Sequence, residues 1–344
     1  MTWLKERMGA VGRSSVYPLI PLTATALTAL LGTLYTDAIR SSPPLSWIPS
    51  GMGQWLPLGF WGLFFLSALL YFPREAALDA DRRRATDDLV ALVRTLPPVD
   101  FLEHNAASFA AVSALGSWAR KENSAEAYEE AIRQVLRTNA ILARKFDVAP
   151  DVRYAANIRR LVRHDPTRPA RSKDINARIA FCEDEVTLES LDGALDVQTG
   201  LSATTDVAPD PELGPFALPV PKQRSATTAL GPKWRVLPGA PIAWVTEKPS
   251  LFVDANGWIG WCRESGDFSE GVIQKIGIYL GTPRGSLVKS FVSVRLSDDA
   301  VLNIHRDQPG LLREHLPAEQ FISTIGAFNI LLTDLLKSLD ETMP

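Results

Sequence analysis

Residues 17–35 read YPLIPLTATALTALLGTLY, and residues 55–72 read WLPLGFWGLFFLSALLYF. A water-soluble fold would have difficulty hiding either run. The first contains no ionisable group other than its terminal tyrosines, and at 1.5 Å rise per residue it reaches ~28 Å, close to the thickness of the hydrocarbon layer. The second is denser in large side chains and closes on Pro73-Arg74. Tyr17, Tyr35, Trp55 and Tyr71 stand at the ends of the runs, where amphipathic rings favour the lipid–water interface. The pattern predicts a transmembrane hairpin over residues 1–73. Buried core helices are usually shorter, and a signal peptide needs a small-residue cleavage site that Thr36-Asp37-Ala38 matches poorly.

Flanking charge sets the expected orientation. Lys5, Arg7 and Arg13 precede the first run, Arg74, Arg82, Arg83 and Arg84 follow the second, and the intervening 37–54 segment holds only Arg40 as a basic residue. The positive-inside rule then places both termini in the cytoplasm of a multi-pass inner-membrane protein. Arg82, Arg83 and Arg84 either meet anionic headgroups, at ~1 kcal/mol per charge, or only fix topology. Threonines 23, 25, 28 and 33 alternate with small residues, so their hydroxyls can bond across a helix interface or back to their own helix.

The chain has 344 residues and a formal net charge of −3, which gives no general argument for nucleic acid, and no duplex partner is expected. Cys182 and Cys262 cannot supply a disulfide framework and would remain thiols in the cytosol. Residues 75–96 read as a helix stopped by Pro97-Pro98, and 101–120 as an alanine-rich helix. A third begins at the cap signal Asn123-Ser124 and runs to Phe146, with Tyr128, Ile132, Val135 and Leu142 on one face. Residues 74–123 are thus expected to form a cytosolic helical connector, and one able to self-associate. Beyond Pro150 short strand candidates separated by proline and glycine predict an α+β domain over residues 124–344. Residues 153–162 and 178–182 read as strands, and 206–221, rich in proline, as a loop.

Arg153, Arg159, Arg160, Arg163, Arg168, Arg171, Lys173 and Arg178 form the most one-sided charge in the chain. Such a stretch attracts phosphate, or is a solvated face balanced by the acidic block Glu183, Asp184, Glu185, Glu189 and Asp192. Trp258 and Trp261, beside Gly257, Gly260 and Cys262, either stack on a planar ligand or form a core cluster. Arg168, Arg171, Lys173, Arg178, Trp258 and Trp261 are therefore the candidate ligand-binding residues. No P-loop, dinucleotide-binding, HExxH or CxxC motif occurs, and His104, His164, His305 and His315 lack ligand spacing, so no metal or cofactor is expected. Ser286 and Lys289 match S-x-x-K without its companion motifs, and no enzyme activity is expected.

Residues 238–254, PGAPIAWVTEKPSLFVD, resemble the short helix and strand of a GAF domain. SFVSVRL at 290–296 and DAVLNIH at 299–305 resemble its last two strands, and 321–339 its closing helix, with Phe321, Ile325, Phe328, Leu332, Leu335 and Leu339 on one face. The resemblance implies an antiparallel sheet with helices on one side, self-association through terminal helices, and a pocket over the sheet for a small ligand. The NKFDE motif of cyclic-nucleotide-binding members is missing. The expectation is a membrane-anchored sensor, a homo-oligomer responding to a small molecule, an anion or a nucleotide, in the manner of ligand-gated, membrane-disrupting effectors of bacterial defence. The alternative is a passive inner-membrane anchor or adaptor for a partner protein.

Overall fold

A computed structural model describes residues 19–34, 36, 59–65, 79, 81–87, 99–228, 231–312 and 315–342. The chain divides into two compact units, residues 1–94 and 95–344.

In the first unit, α1 covers Leu19–Leu34, 16 residues, and residues 59–65 are helical. Thr33 turns its hydroxyl back on its own helix, donating to the carbonyls of Ala29 and Leu30 at 3.1 and 2.9 Å. Phe60, Trp61, Phe64 and Phe65 meet largely edge to face. Among the described residues no single helix is long and apolar enough to cross a membrane. Tyr17, Tyr35, Trp55, Tyr71 and Arg74 lie outside the described residues. Arg82, Arg83 and Arg84 fall on helical residues 81–87 and are exposed.

The second unit opens with α2 (Val99–Glu122) and α3 (Ala125–Phe146). Ser124 caps α3 by accepting from the Ala127 amide at 3.2 Å, which satisfies one of the amides a helix start leaves open. Tyr128, Ile132, Val135, Leu136 and Leu142 recur at helical spacing and are all buried. The chain then forms β1 (Tyr154–Val162), α4 (Pro169–Asn176), β2 (Leu191–Thr204), β3 (Ala217–Pro221), a separate hairpin of β4 (Ser225–Thr228) and β5 (Gly231–Trp234), α5 (Ala240–Thr246), β6 (Ser250–Phe252), α6 (Asn256–Glu264), α7 (Glu270–Leu280), α8 (Pro283–Ser286), β7 (Ser290–Arg295), β8 (Ala300–Arg306), α9 (His315–Thr324) and α10 (Gly326–Thr342). Six strands make one antiparallel sheet in the order β3-β2-β1-β8-β7-β6. The domain is α+β, with the β1–β8 pair at its centre.

Strand alternation divides the domain into two layers. Tyr154, Ala156, Ile158, Leu302 and Ile304 share a core with α2, α3, α9 and α10. The other face, with Leu195, Leu218 and Val301, packs under α5, α6 and α7. Helices therefore cover both faces, where the resemblance implied one.

Three further expectations are corrected, and one strand was not foreseen. Residues 178–182 form no strand; Ile179 makes only an isolated bridge to Ala217. The acidic 183–192 block leads into β2, a 14-residue strand whose pairing with β1 shifts register between Asn157 and Arg159. The proline-rich 206–221 stretch ends in β3, whose Pro219 and Pro221 are tolerated because β3 is an edge strand. The closing helix is broken between α9 and α10, bent by 55° around Ile325, and its apolar side is buried in the core.

Candidate functional site

Between the second sheet face and helices α6 to α8 lies a cavity of about 550 Å³. Its floor comes from three neighbouring strands. On β1, Asn157 and Arg159 stand two apart and so point to the same face, as do Asn303 and His305 on β8. The register places Asn157 opposite Asn303 and Asn303 opposite Ser293, whose hydroxyl donates to the Asn303 Oδ1 at 2.9 Å. The adjacent row runs from Ala155 through His305 to Phe291 and Phe252, whose rings stack at 5.4 Å.

The wall beside Phe291 depends on a glycine. Gly239 has φ +89° and donates its amide to the Ser250 hydroxyl at 3.1 Å, and a Cβ added there would lie 2.7 Å from the Phe291 ring. Only glycine meets both the left-handed backbone and the close approach. Phe181, Trp258 and Tyr279 continue this aromatic wall; the Phe181 ring meets Trp258 at 5.6 Å and Tyr279 at 5.2 Å, edge to face in both cases. Residues 210–216 close another side. Arg153 ties that segment down through Asp210 at 2.7 Å and through Glu212, and the Ser202 hydroxyl accepts from the Asp210 amide.

The lining is mainly apolar, yet several of its buried polar atoms have no hydrogen-bond partner: Asn157 Oδ1, Arg159 Nε and Nη1, His305 Nδ1 and Trp258 Nε1. All four residues are at least nine-tenths buried. Arg159 is 6% exposed and makes no ion pair among the described residues; its guanidinium lies over the Phe216 ring, 4.4 Å from the centroid. Loss of water pulls its pKa down to about 10, against the partial support of Tyr279 and Asp196, so it stays charged at neutral pH. Burial first, then the positive charges of Arg153 and Arg159, pushes the His305 imidazole down to about 3, leaving it neutral. Buried polar groups without partners are costly and uncommon, and here they gather around one cavity.

Of the residues singled out from sequence, Trp258 lines this cavity. Trp261 is half-buried and packs near Phe268, away from it. Arg168, Arg171 and Lys173 are exposed at the start of α4 and within it. Arg178 is engaged by Asp174 at 2.5 Å and Asp196 at 3.2 Å. Much of the basic stretch is neutralised by distant carboxylates: Arg153 by Asp210 and Glu212, and Arg160 by Asp299 and Asp340. Arg159 belonged to that stretch but was not separated from it. The signal was the polar pair Asn157 and Arg159 at alternate positions in the strand YAANIRRLV, whose only other charged residue is Arg160. Comparison of the chain with protein-family models, with curated proteins and with solved structures returns no match.

Proposed function

We propose that the α+β unit is a GAF-like sensor that takes a small molecule into the cavity between its sheet and α6–α8, and that residues 1–73 hold it at the inner membrane as a hairpin whose packing the ligand alters. The observation that carries the reading is the set of unpartnered polar atoms on Asn157, Arg159, Trp258 and His305 around one largely apolar cavity. An apolar pocket with a few converging polar groups is the usual form of a small-molecule site. A sheet with a pocket over it also agrees with the resemblance of residues 238–339.

A route from cavity to helices follows from strand geometry. β1 and β8 present Asn157, Arg159 and His305 to the cavity, and on the opposite face Tyr154 and Arg306 bond each other and Asp147, the C-cap of α3. A ligand acts only through unequal affinity for two arrangements of this sheet and its helices. The output is assigned to the hairpin, with self-association into a bilayer-perturbing assembly.

The test uses the full chain reconstituted in dye-loaded vesicles. A cell-extract fraction that raises its melting temperature should also change dye leakage, and replacing residues 1–73 with an unrelated hairpin should abolish the leakage. Leakage that survives the replacement, or stabilisation without any leakage, would favour a passive anchor.

A further inference from the structure

We propose that the cavity binds an organic anion of single negative charge with a planar aromatic body, its anionic group on Arg159 and its ring among Phe181, Trp258 and Phe291. The proposal rests on the small-molecule reading of the same cavity and names the chemistry of the ligand.

The charge follows from Arg159. A buried guanidinium whose Nε and Nη1 lack acceptors keeps charged N–H donors open on two of its edges, each able to hold an oxygen of a carboxylate or phosphoryl group. The Phe216 face supplies only part of what water would. The limit to one charge follows from its neighbours. Arg153 is held by Asp210 and Glu212, Arg178 by Asp174 and Asp196, and His305 is neutral. Arg284, at the rim beside Gly214, is exposed, and water weakens its pull. A second negative charge inside would therefore meet no other buried, unpaired cation among the described residues, and a buried uncompensated charge is strongly disfavoured.

The aromatic body follows from the walls. Trp258 stands edge to face with both Phe181 and Phe291, at 5.6 and 5.8 Å, so the three rings form one connected aromatic wall of the cavity. Such a wall favours a flat ring over a branched aliphatic body. Asn157, His305 and Trp258 remain to bond polar substituents of that ring. The volume of about 550 Å³ lies within the range of small-ligand sites.

The experiment measures binding and thermal stabilisation of the full chain in detergent by indole-3-carboxylate, its neutral primary amide, a cyclic mononucleotide, a nucleoside diphosphate and inorganic phosphate. The aromatic monoanions are expected to bind best, with the amide about 30-fold or more weaker for want of the charge-assisted bonds. The tighter of carboxylate and cyclic nucleotide then identifies the anionic group. Arg159→Met should raise the melting temperature of the free protein, because it removes a buried unpaired charge, while reducing acid binding to the level of the amide. Arg159→Lys keeps the charge but replaces the planar guanidinium with a single ammonium, and should fall between. Equal affinity for acid and amide, or full acid affinity in Arg159→Met, would overturn the anion assignment and leave the small-molecule site standing. Should the methionine variant fail to fold, the acid–amide comparison on the unaltered chain still decides. Binding by none of the probes would overturn the anion assignment, the small-molecule reading then standing or falling with the vesicle experiment.

Discussion

His305 sits fully buried on β8, its imidazole held neutral by loss of water and by the positive charges of Arg153 and Arg159. Its folded pKa, about 3, lies below the ordinary 6.5, so the unfolded chain binds the proton more readily. The contribution of this residue to stability is complete above pH 6.5 and declines as the pH falls toward 3, with a limiting slope of about 1.4 kcal/mol per pH unit. His305→Gln should flatten the acid side of the stability profile, measured by urea unfolding between pH 7 and pH 4; parallel profiles would contradict the assignment. At this scale the sequence reveals residue types but not their facing. Trp258 was legible as an aromatic beside glycines. Asn157, Arg159 and His305 were not, because a shift of one residue in strand register would turn them to the other face.

Elements are joined on the opposite face by a buried cluster. Asp147, at the C-cap of α3, accepts from the Tyr154 hydroxyl of β1 at 2.6 Å, pairs with Arg306 of β8 at 3.2 Å and accepts from the Leu312 amide at 3.0 Å. Asp147→Ala would leave Arg306 buried without its carboxylate, at a cost of about 3–5 kcal/mol. Chemical denaturation should show the midpoint falling with little change in slope, and an unmoved midpoint would mean that Arg306 finds other support. Helix α2 was readable from its alanine content and α3 from its periodicity and the Ser124 cap, and β1 was a strand candidate, whereas β7 and β8 were expected only from the resemblance of 290–296 and 299–305 to the last two strands of a GAF domain. β2 was obscured by Asp192, Gly193, Asp196, Gln198 and Gly200, polar or flexible residues that dilute the alternation. The break between α9 and α10 carries no proline, and the apolar spacing continues through it, so only packing discloses the bend.

For the whole molecule, the membrane hairpin is the expectation with the widest consequence. Full-length protein should float with vesicles in a density gradient and stay with them through an alkaline carbonate wash; recovery in the wash would sink the hairpin reading. The α+β class was visible in the sequence because helical and strand periods occupy separate regions. The cavity was invisible, being assembled from β1, β7, β8, α6 and α7 and from the 210–216 segment, which adjoin only after folding. The rims of the sheet bear on how copies meet. At one rim β3 carries two prolines, and its Ala217 is engaged by Arg178 and Ala180 through backbone bonds of 2.8 and 2.9 Å; at the other, β6 is three residues long. Strand addition needs a row of open amides and carbonyls, and among the described residues neither rim of the six-stranded sheet offers one of useful length. Copies meeting at these two rims would find little backbone to pair, so an assembly through them must be specified by side chains, and single surface substitutions should suffice to take it apart.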